Sequence, residues 1–134
     1  MVLSGVLHFF FPLRMMGNSV SLPIGLALEL IGGALALWAQ RTMKAAGTNV
    51  RPDRPALTIV SRGPYQFTRN PMYLSLCLCQ IGLGFIVNGL IPVLFAIPLA
   101  LVLHFGVILR EEQYLAHKFG EQYLQFKRKV HRWV

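Results

Sequence analysis

Two short polar stretches carry the residues best suited to chemistry, and each lies next to an apolar segment. The first, residues 63–73, has the sequence GPYQFTRNPMY, and the second is REE at residues 110–112. Asn70 followed by Pro71 favours the start of a helix, whose free N–H groups and partial positive charge suit an anion. Arg69 adds a planar fork for a carboxylate or phosphate, although an arginine here could equally anchor the chain at a membrane surface.

The two adjacent carboxylates follow a long apolar run, where a charge is costly unless it is paired. Glu111 and Glu112 therefore have a structural interpretation, an ion pair with Arg62, Arg69 or Arg110, and a functional one, binding of a cationic group on a ligand. Nearby aromatic side chains could stack on a base or face a cation, or could belong to the membrane interface. These aromatic residues are Tyr65, Phe67, Tyr73 and Tyr114.

Glu29 is the acidic residue that falls well inside an apolar run, and a carboxylate inside a membrane is a candidate for substrate contact. Its obvious partner would be His104, but at 1.5 Å per residue their depths differ by about 9 Å, so a direct pair is not expected. Cys77 and Cys79 lie two residues apart in an apolar run, which disfavours a disulfide. No residue spacing indicates a metal site.

The composition indicates one domain, residues 1–134, in a membrane. Apolar residues make up 54% of the chain and charged residues only 13%, about half the usual share for a soluble domain. The net charge of +8 could suggest nucleic acid. However, basic residues of membrane proteins collect in cytoplasmic loops, and no basic stripe lies on a soluble fold here, so we do not expect nucleic-acid binding.

Hydropathy predicts an all-α integral membrane fold with about three transmembrane helices. Pro23 and Pro92 suit the first turns of the first and third spans, and Pro98 should kink the third. Asn88-Gly89 predicts a tight antiparallel hairpin between the last two spans. A short apolar helix should precede them, since residues 1–16 lack the features of a signal peptide. The predicted spans are residues 22–40, 71–87 and 90–109. The small residues suited to close packing of the first span are Gly25, Gly32, Gly33 and Ala36.

Basic residues fix the expected orientation. Of thirteen Lys and Arg residues, six lie between Arg41 and Arg69, six lie from Arg110 onward, and Arg14 stands apart. The positive-inside rule then places the loop 41–70 and the tail 110–134 together in the cytoplasm, in an inner or cytoplasmic membrane. The tail has apolar residues at helical spacing among basic ones. It is predicted to be an amphipathic helix lying on the membrane, with Trp133 as interfacial anchor.

These stretches resemble the isoprenylcysteine carboxyl methyltransferase family, which belongs with the phospholipid N-methyltransferases among integral-membrane methyltransferases. The similarity runs from about residue 22 to the end, on G-P-Y-x-x-x-R-x-P-x-Y, then a span hairpin, R-E-E and F-G-x-x-Y. It implies S-adenosylmethionine as cofactor, bound at the cytoplasmic end of the last two helices. The implied cofactor residues are Gly63, Pro64, Tyr65, Arg69, Asn70, Pro71, Tyr73, Glu111 and Glu112. The implied catalytic residues are Arg110, Glu111 and Glu112.

Two departures from the family qualify this similarity. The family often has His where this chain has Asn70, and an amide cannot act as a general base. The N-terminal span is also short compared with similar proteins, so the lipid-side wall could come from a second copy or a helper subunit.

The sequence leaves three functions open. The first is methyl transfer from S-adenosylmethionine to a membrane lipid or other lipophilic acceptor, with Glu29 contacting the substrate. That acceptor could be a prenyl-cysteine carboxylate, a phospholipid amine or a small thiol. The second is a sterol-type membrane reductase using NADPH. The third is a non-catalytic transporter or assembly subunit, which should place its polar groups near the membrane midplane.

Overall fold

The chain forms a bundle of helices. The computed structural model describes residues 1–51 and 54–134, of which 72% are helical, and within these residues there is no strand. An isolated β-bridge joins Arg14 to Gly89. The predicted all-α class is thus confirmed. The α-helices are α1 (Val2–Phe10), α2 (Asn18–Ala45), α3 (Pro71–Ile86), α4 (Leu90–Leu94), α5 (Ala96–Leu103), α6 (Leu109–Phe119) and α7 (Glu121–Lys129).

Two helices are long and apolar enough to cross a membrane. They are α2, with 28 residues, and the helical run Leu90–Phe119, with 30 residues. The intervening α3 is apolar but has 16 residues, fewer than the roughly 20 that span a bilayer. The structure therefore supports two candidate spans and a shorter apolar helix, where the sequence predicted about three spans.

The predicted position of Pro23 in a first helical turn is wrong. The helix begins at Asn18, so Pro23 lies inside α2. The added turn forms because Asn88, in the hairpin between α3 and α4, fixes the chain just before it. The Asn88 side chain accepts hydrogen bonds from the backbone N–H groups of Met15 and Met16 and donates one to Asn18 Oδ1 at 2.9 Å. Long-range contacts of this kind are invisible to a hydropathy pattern.

Helices α2 and α3 approach closely through glycines. A methyl group on Gly25 would lie 2.7 Å from the carbonyl oxygen of Gly82, and one on Gly32 would lie 2.7 Å from Cys79 Sγ. Gly33, predicted to share this face, has no neighbouring atom within 4 Å. The contact surface thus follows a seven-residue repeat on α2 that includes Gly25 and Gly32 and excludes Gly33.

We expect Gly25→Ala to lower the thermal unfolding midpoint of the detergent-solubilised protein. The added methyl group meets backbone atoms that cannot move aside cheaply, and overpacking of this kind costs about 1–3 kcal/mol. Gly33→Ala is the matched control, because it adds the same methyl group to the same helix in open space and should be neutral or stabilising. Equal midpoints for the two variants would contradict the α2–α3 packing described here.

The predicted hairpin between the last two apolar segments is present. Asn88 adopts a positive φ of 49°, and Gly89 N–H donates to the Gly84 carbonyl at 2.8 Å. The helical run that follows is interrupted at Phe95, three residues before Pro98, as expected where a proline ring displaces the preceding turn. A π-helical turn, His104–Ile108, then leads into α6.

The tail differs from the predicted single amphipathic helix. Gly120, with φ of 59°, ends α6 and turns the chain into α7. After α7 the chain is extended at Val130 and returns toward the bundle. Trp133 stacks on His104, with ring centroids 6.4 Å apart and an interplanar angle of 12°. Trp133 therefore packs on the protein, where the sequence predicted an anchor in the lipid interface.

Candidate active site

The two polar stretches meet at one end of the bundle. They enclose a cavity of about 190 Å³ between the start of α3, the start of α6, α7 and the segments 48–51 and 54–60. The hairpin between α3 and α4 explains this meeting, because it returns the chain to the end where α3 began. The predicted site residues that line the cavity are Tyr65, Arg69, Asn70, Pro71, Tyr73, Glu111, Glu112 and Tyr114.

Pro71 occupies the first turn of α3, and Asn70 is its N-cap residue, as predicted. The Asn70 side chain makes no capping bond, however. Its Nδ2 instead donates to the Arg132 carbonyl at 2.9 Å, so the amide ties the start of α3 to the C-terminal segment. The Asn70 side chain thus makes a tertiary contact and does not cap the helix. The first N–H groups of α3 face the end of the bundle that holds the cavity.

Glu112 is the centre of a buried ion cluster. The Arg132 guanidinium donates to both of its carboxylate oxygens, from Nε at 2.7 Å and from Nη2 at 2.9 Å. Arg69 Nη1 donates to Glu112 Oε1 at 3.1 Å, and Lys127 Nζ lies 3.6 Å from Oε2. The hydrogen bond to Glu112 raises the pKa of Arg132 above its usual value. Glu112 is therefore surrounded by three cations, although only 7% of its surface is exposed.

Glu111, the neighbouring residue, has a different environment. Its Oε1 accepts a hydrogen bond from the Tyr73 hydroxyl at 2.7 Å, and it lines the cavity. Within residues 1–51 and 54–134 it has no ion pair of 4 Å or less. Successive positions on a helix point in different directions, so Glu112 faces the cations of the tail while Glu111 faces Tyr73 on α3. The two carboxylates consequently have separate roles.

The last residues of the chain complete the site and were missed by sequence reasoning. The Arg69 backbone N–H donates to the His131 carbonyl at 2.9 Å, and Trp133 Nε1 donates to His104 Nδ1 at 3.3 Å. These bonds hold Arg132 against Glu112. A basic residue in a basic tail does not by itself indicate a buried acidic partner. The sequence therefore does not predict that Arg132 and Lys127 contact Glu112. The Arg69–Glu112 pair was among the partners predicted.

The remaining wall of the cavity is aromatic and aliphatic. Tyr65 and Tyr123 are buried, and burial raises the pKa of both phenols, with the charge of Glu111 adding to the effect at Tyr65. Both phenols are therefore neutral hydrogen-bond donors at physiological pH. The apolar lining residues are Met43, Ile59, Val60, Met72, Leu115 and Phe126.

Several predicted residues lie away from the cavity. Gly63, with φ of 58°, lets the turn Gly63–Gln66 approach α2, because a methyl group there would lie 2.6 Å from Thr42 Oγ1. Pro64 is buried in the same turn. Neither Gly63 nor Pro64 lines the cavity. The other predicted residues that do not line it, among the residues described, are Glu29, Arg62, Phe67 and Arg110. The Arg62, Phe67 and Arg110 side chains are exposed.

Glu29 lies in the middle of α2, on the side that contacts α3 near Gly82. Both ring nitrogens of His104 face the tail residues Arg132 and Trp133. Cys77 and Cys79 are free thiols. The described residues contain no group of three or more His, Cys, Asp or Glu side chains that could hold a metal ion.

Comparison with known proteins gives two findings. A family model described as phospholipid methyltransferase matches residues 20–122, which is most of the chain and includes both polar stretches. The chain is also 40% identical, over 63 residues, to an uncharacterised protein of Haemophilus influenzae. That similarity covers 47% of this chain and the whole of the relative.

Proposed function

Because the chain belongs to the phospholipid methyltransferase family, we propose that it transfers a methyl group from S-adenosylmethionine to a lipophilic acceptor at the cavity. Membership confirms the resemblance to the superfamily of integral-membrane methyltransferases. It indicates a membrane methyltransferase and favours neither the reductase nor the non-catalytic role.

The observation that carries the proposal is the contrast between the two adjacent carboxylates. Glu112 has three cationic neighbours, whereas Glu111 faces the cavity with one phenol donor. A partly buried carboxylate without a cation is costly, and a cationic group on a ligand would relieve that cost. The ammonium and sulfonium groups of S-adenosylmethionine, and a protonated amine acceptor, all have the required charge.

The cavity also has groups that suit an anion. Arg69 Nε is buried and has no hydrogen-bond partner among the described residues, and Arg69 lines the cavity. The start of α3 adds free N–H groups and a partial positive charge. The carboxylate of an amino-acid moiety therefore fits between Arg69 and α3, which leaves Glu111 for the sulfonium group and for the acceptor amine that approaches its methyl group. Tyr114 and Phe126 offer aromatic surface for an adenine.

When bound, S-adenosylmethionine would supply an electrophilic methyl group, and displacement at that carbon needs no metal ion. The protein's own residues have to bind, orient and exclude water. The apolar wall, including Met43 and Met72, would keep the site dry and receive a lipophilic acceptor. An amine acceptor must lose a proton to react, and Glu111 is the cavity carboxylate able to accept it. Asn70 cannot, because an amide is not a base.

We favour a phospholipid amine as the acceptor over a prenyl-cysteine carboxylate or a small thiol. The description of the matched family supports this choice, and Glu111 would both attract the protonated amine and take its proton. The clustering of basic residues near the cavity end supports a cytoplasmic active site in an inner membrane.

The proposal is tested by incubating the purified protein, reconstituted in phosphatidylethanolamine vesicles, with S-adenosylmethionine labelled in its methyl group. We expect the label in the lipid fraction as a methylated headgroup. Vesicles of phosphatidylglycerol, which has no amine, are the control. Transfer only to a prenylated cysteine or to a thiol would replace the acceptor, and transfer to none of these from a folded protein would contradict the methyltransferase proposal.

A further inference from the structure

A second cavity lies at the opposite end of the bundle from the candidate active site. It has a volume of about 290 Å³ and lies between the end of α1, the start of α2 and the hairpin that follows α3. Arg14 lines it, and this is the basic residue that stands apart from the two groups near the active site. No acidic side chain lines this cavity within the described part of the chain.

The backbone that carries Arg14 is firmly fixed. Arg14 forms a β-bridge with Gly89, and the Leu90 N–H donates to the Leu13 carbonyl at 2.9 Å. Asn88, which is 5% exposed, holds the next residues, accepting from Met15 N–H at 3.2 Å. The cation is thus attached to a rigid rim.

The polar groups left over in this cavity are hydrogen-bond donors. Asn88 uses both amide hydrogens internally, on Met16 O and Asn18 Oδ1, and the Ser21 hydroxyl donates to the Phe85 carbonyl. The Asn18 amide nitrogen and the Arg14 guanidinium make no hydrogen bond within the described residues, and both side chains are exposed at the cavity.

His8 supplies a third group. Its Nδ1 is buried against Gly89 and has no hydrogen-bond partner among the described residues, and the His8 side chain lines the cavity. A neutral imidazole carries one N–H, so the ring has a hydrogen-bond donor to offer. The start of the 28-residue α2 adds a partial positive charge beside these groups.

We propose that this cavity, lined by His8, Arg14 and Asn18, is a binding site for an anionic phosphate group. A group that only accepts hydrogen bonds and carries negative charge matches donors gathered around a guanidinium whose backbone is fixed. At this end of a membrane-crossing bundle, the phosphate could belong to a lipid headgroup of the leaflet opposite the active site, or to a soluble phosphate. The proposal does not depend on methyl transfer.

The test measures thermal unfolding of the full chain in a maltoside detergent, which contains no phosphate. Phosphatidylglycerol or inorganic phosphate is titrated in, with chloride at matched ionic strength as the reference. We expect a saturable rise in the unfolding midpoint for the wild type. Arg14→Gln should weaken the apparent affinity about tenfold or more, because a charge-assisted contact is lost. Arg14→Lys should retain much of it.

Lys129→Gln is the matched control, since it removes one exposed positive charge from the other end of the chain and should titrate like the wild type. Stabilisation by the lipid alone identifies a headgroup site, stabilisation by phosphate alone identifies a soluble anion, and both together identify the shared phosphate group. The proposal is overturned if neither stabilises the wild type, or if Arg14→Gln responds as the wild type does.

Discussion

Replacing Glu111 with glutamine is expected to lower kcat/KM for methyl transfer by about 10²-fold, with the fold intact. Glutamine keeps the size of the side chain and can still accept from the Tyr73 hydroxyl, but it loses the negative charge that faces the cavity. A charged hydrogen bond contributes about 1.5–3 kcal/mol, and a general base contributes about 10²-fold or more. Initial rates at varied S-adenosylmethionine and acceptor concentrations measure the loss.

The matched control is Glu121→Gln, which removes the same charge from an exposed residue at the start of α7. That variant should keep wild-type rates. The unfolding midpoint of Glu111→Gln should stay close to that of the wild type, because Glu111 has no ion pair with residues 1–51 or 54–134. Wild-type kinetics in Glu111→Gln would show that this carboxylate neither binds a cation nor accepts a proton.

Replacing Glu112 with glutamine should instead unfold the tail and destabilise the protein by about 3 kcal/mol. Removing the carboxylate leaves Arg69, which is 8% exposed, and the half-buried Arg132 without their shared anion. Breaking a buried ion pair costs about 3–5 kcal/mol, and partial exposure of Arg132 and Lys127 favours the lower end. Thermal unfolding in detergent should show a midpoint lower by about 10 °C.

A double-mutant cycle separates this ion cluster from a general loss of packing. Glu112→Gln and Arg132→Gln should each destabilise, and the double variant should lose less than the sum, because both changes break the same contact. Additive losses would contradict a direct Glu112–Arg132 pair. In a Trp38→Phe background, the fluorescence of Trp133 gives a local readout, since release of the tail would expose its ring.

Local sequence signals predicted the elements that bring the site together. Pro71 starts a helix because a first-turn proline requires no distant contact, and Asn88-Gly89 turns the chain for the same reason. Once a hairpin joins α3 to the later helices, residues 63–73 and 110–112 must meet at one end. The two polar halves of the cavity follow from these short-range rules.

Contacts across long stretches of chain could not be predicted in this way. Arg132 reaches Glu112 because Gly120 turns the tail and His104 receives Trp133, and none of these residues signals the arrangement alone. Gly33 is another case that the sequence could not decide. It is one of the small residues of α2, but it does not contact α3. Residue type suggested these roles, and tertiary packing decided them.

The most direct test of the central claim is binding of S-adenosylmethionine to the lipid-reconstituted protein, measured by calorimetry without an acceptor. We predict saturable binding in the micromolar to millimolar range typical of enzyme substrates, weakened at least about tenfold in Glu111→Gln and unchanged in Glu121→Gln. No binding by wild-type protein that unfolds cooperatively, and is therefore folded, would contradict the assignment of the cavity to this cofactor.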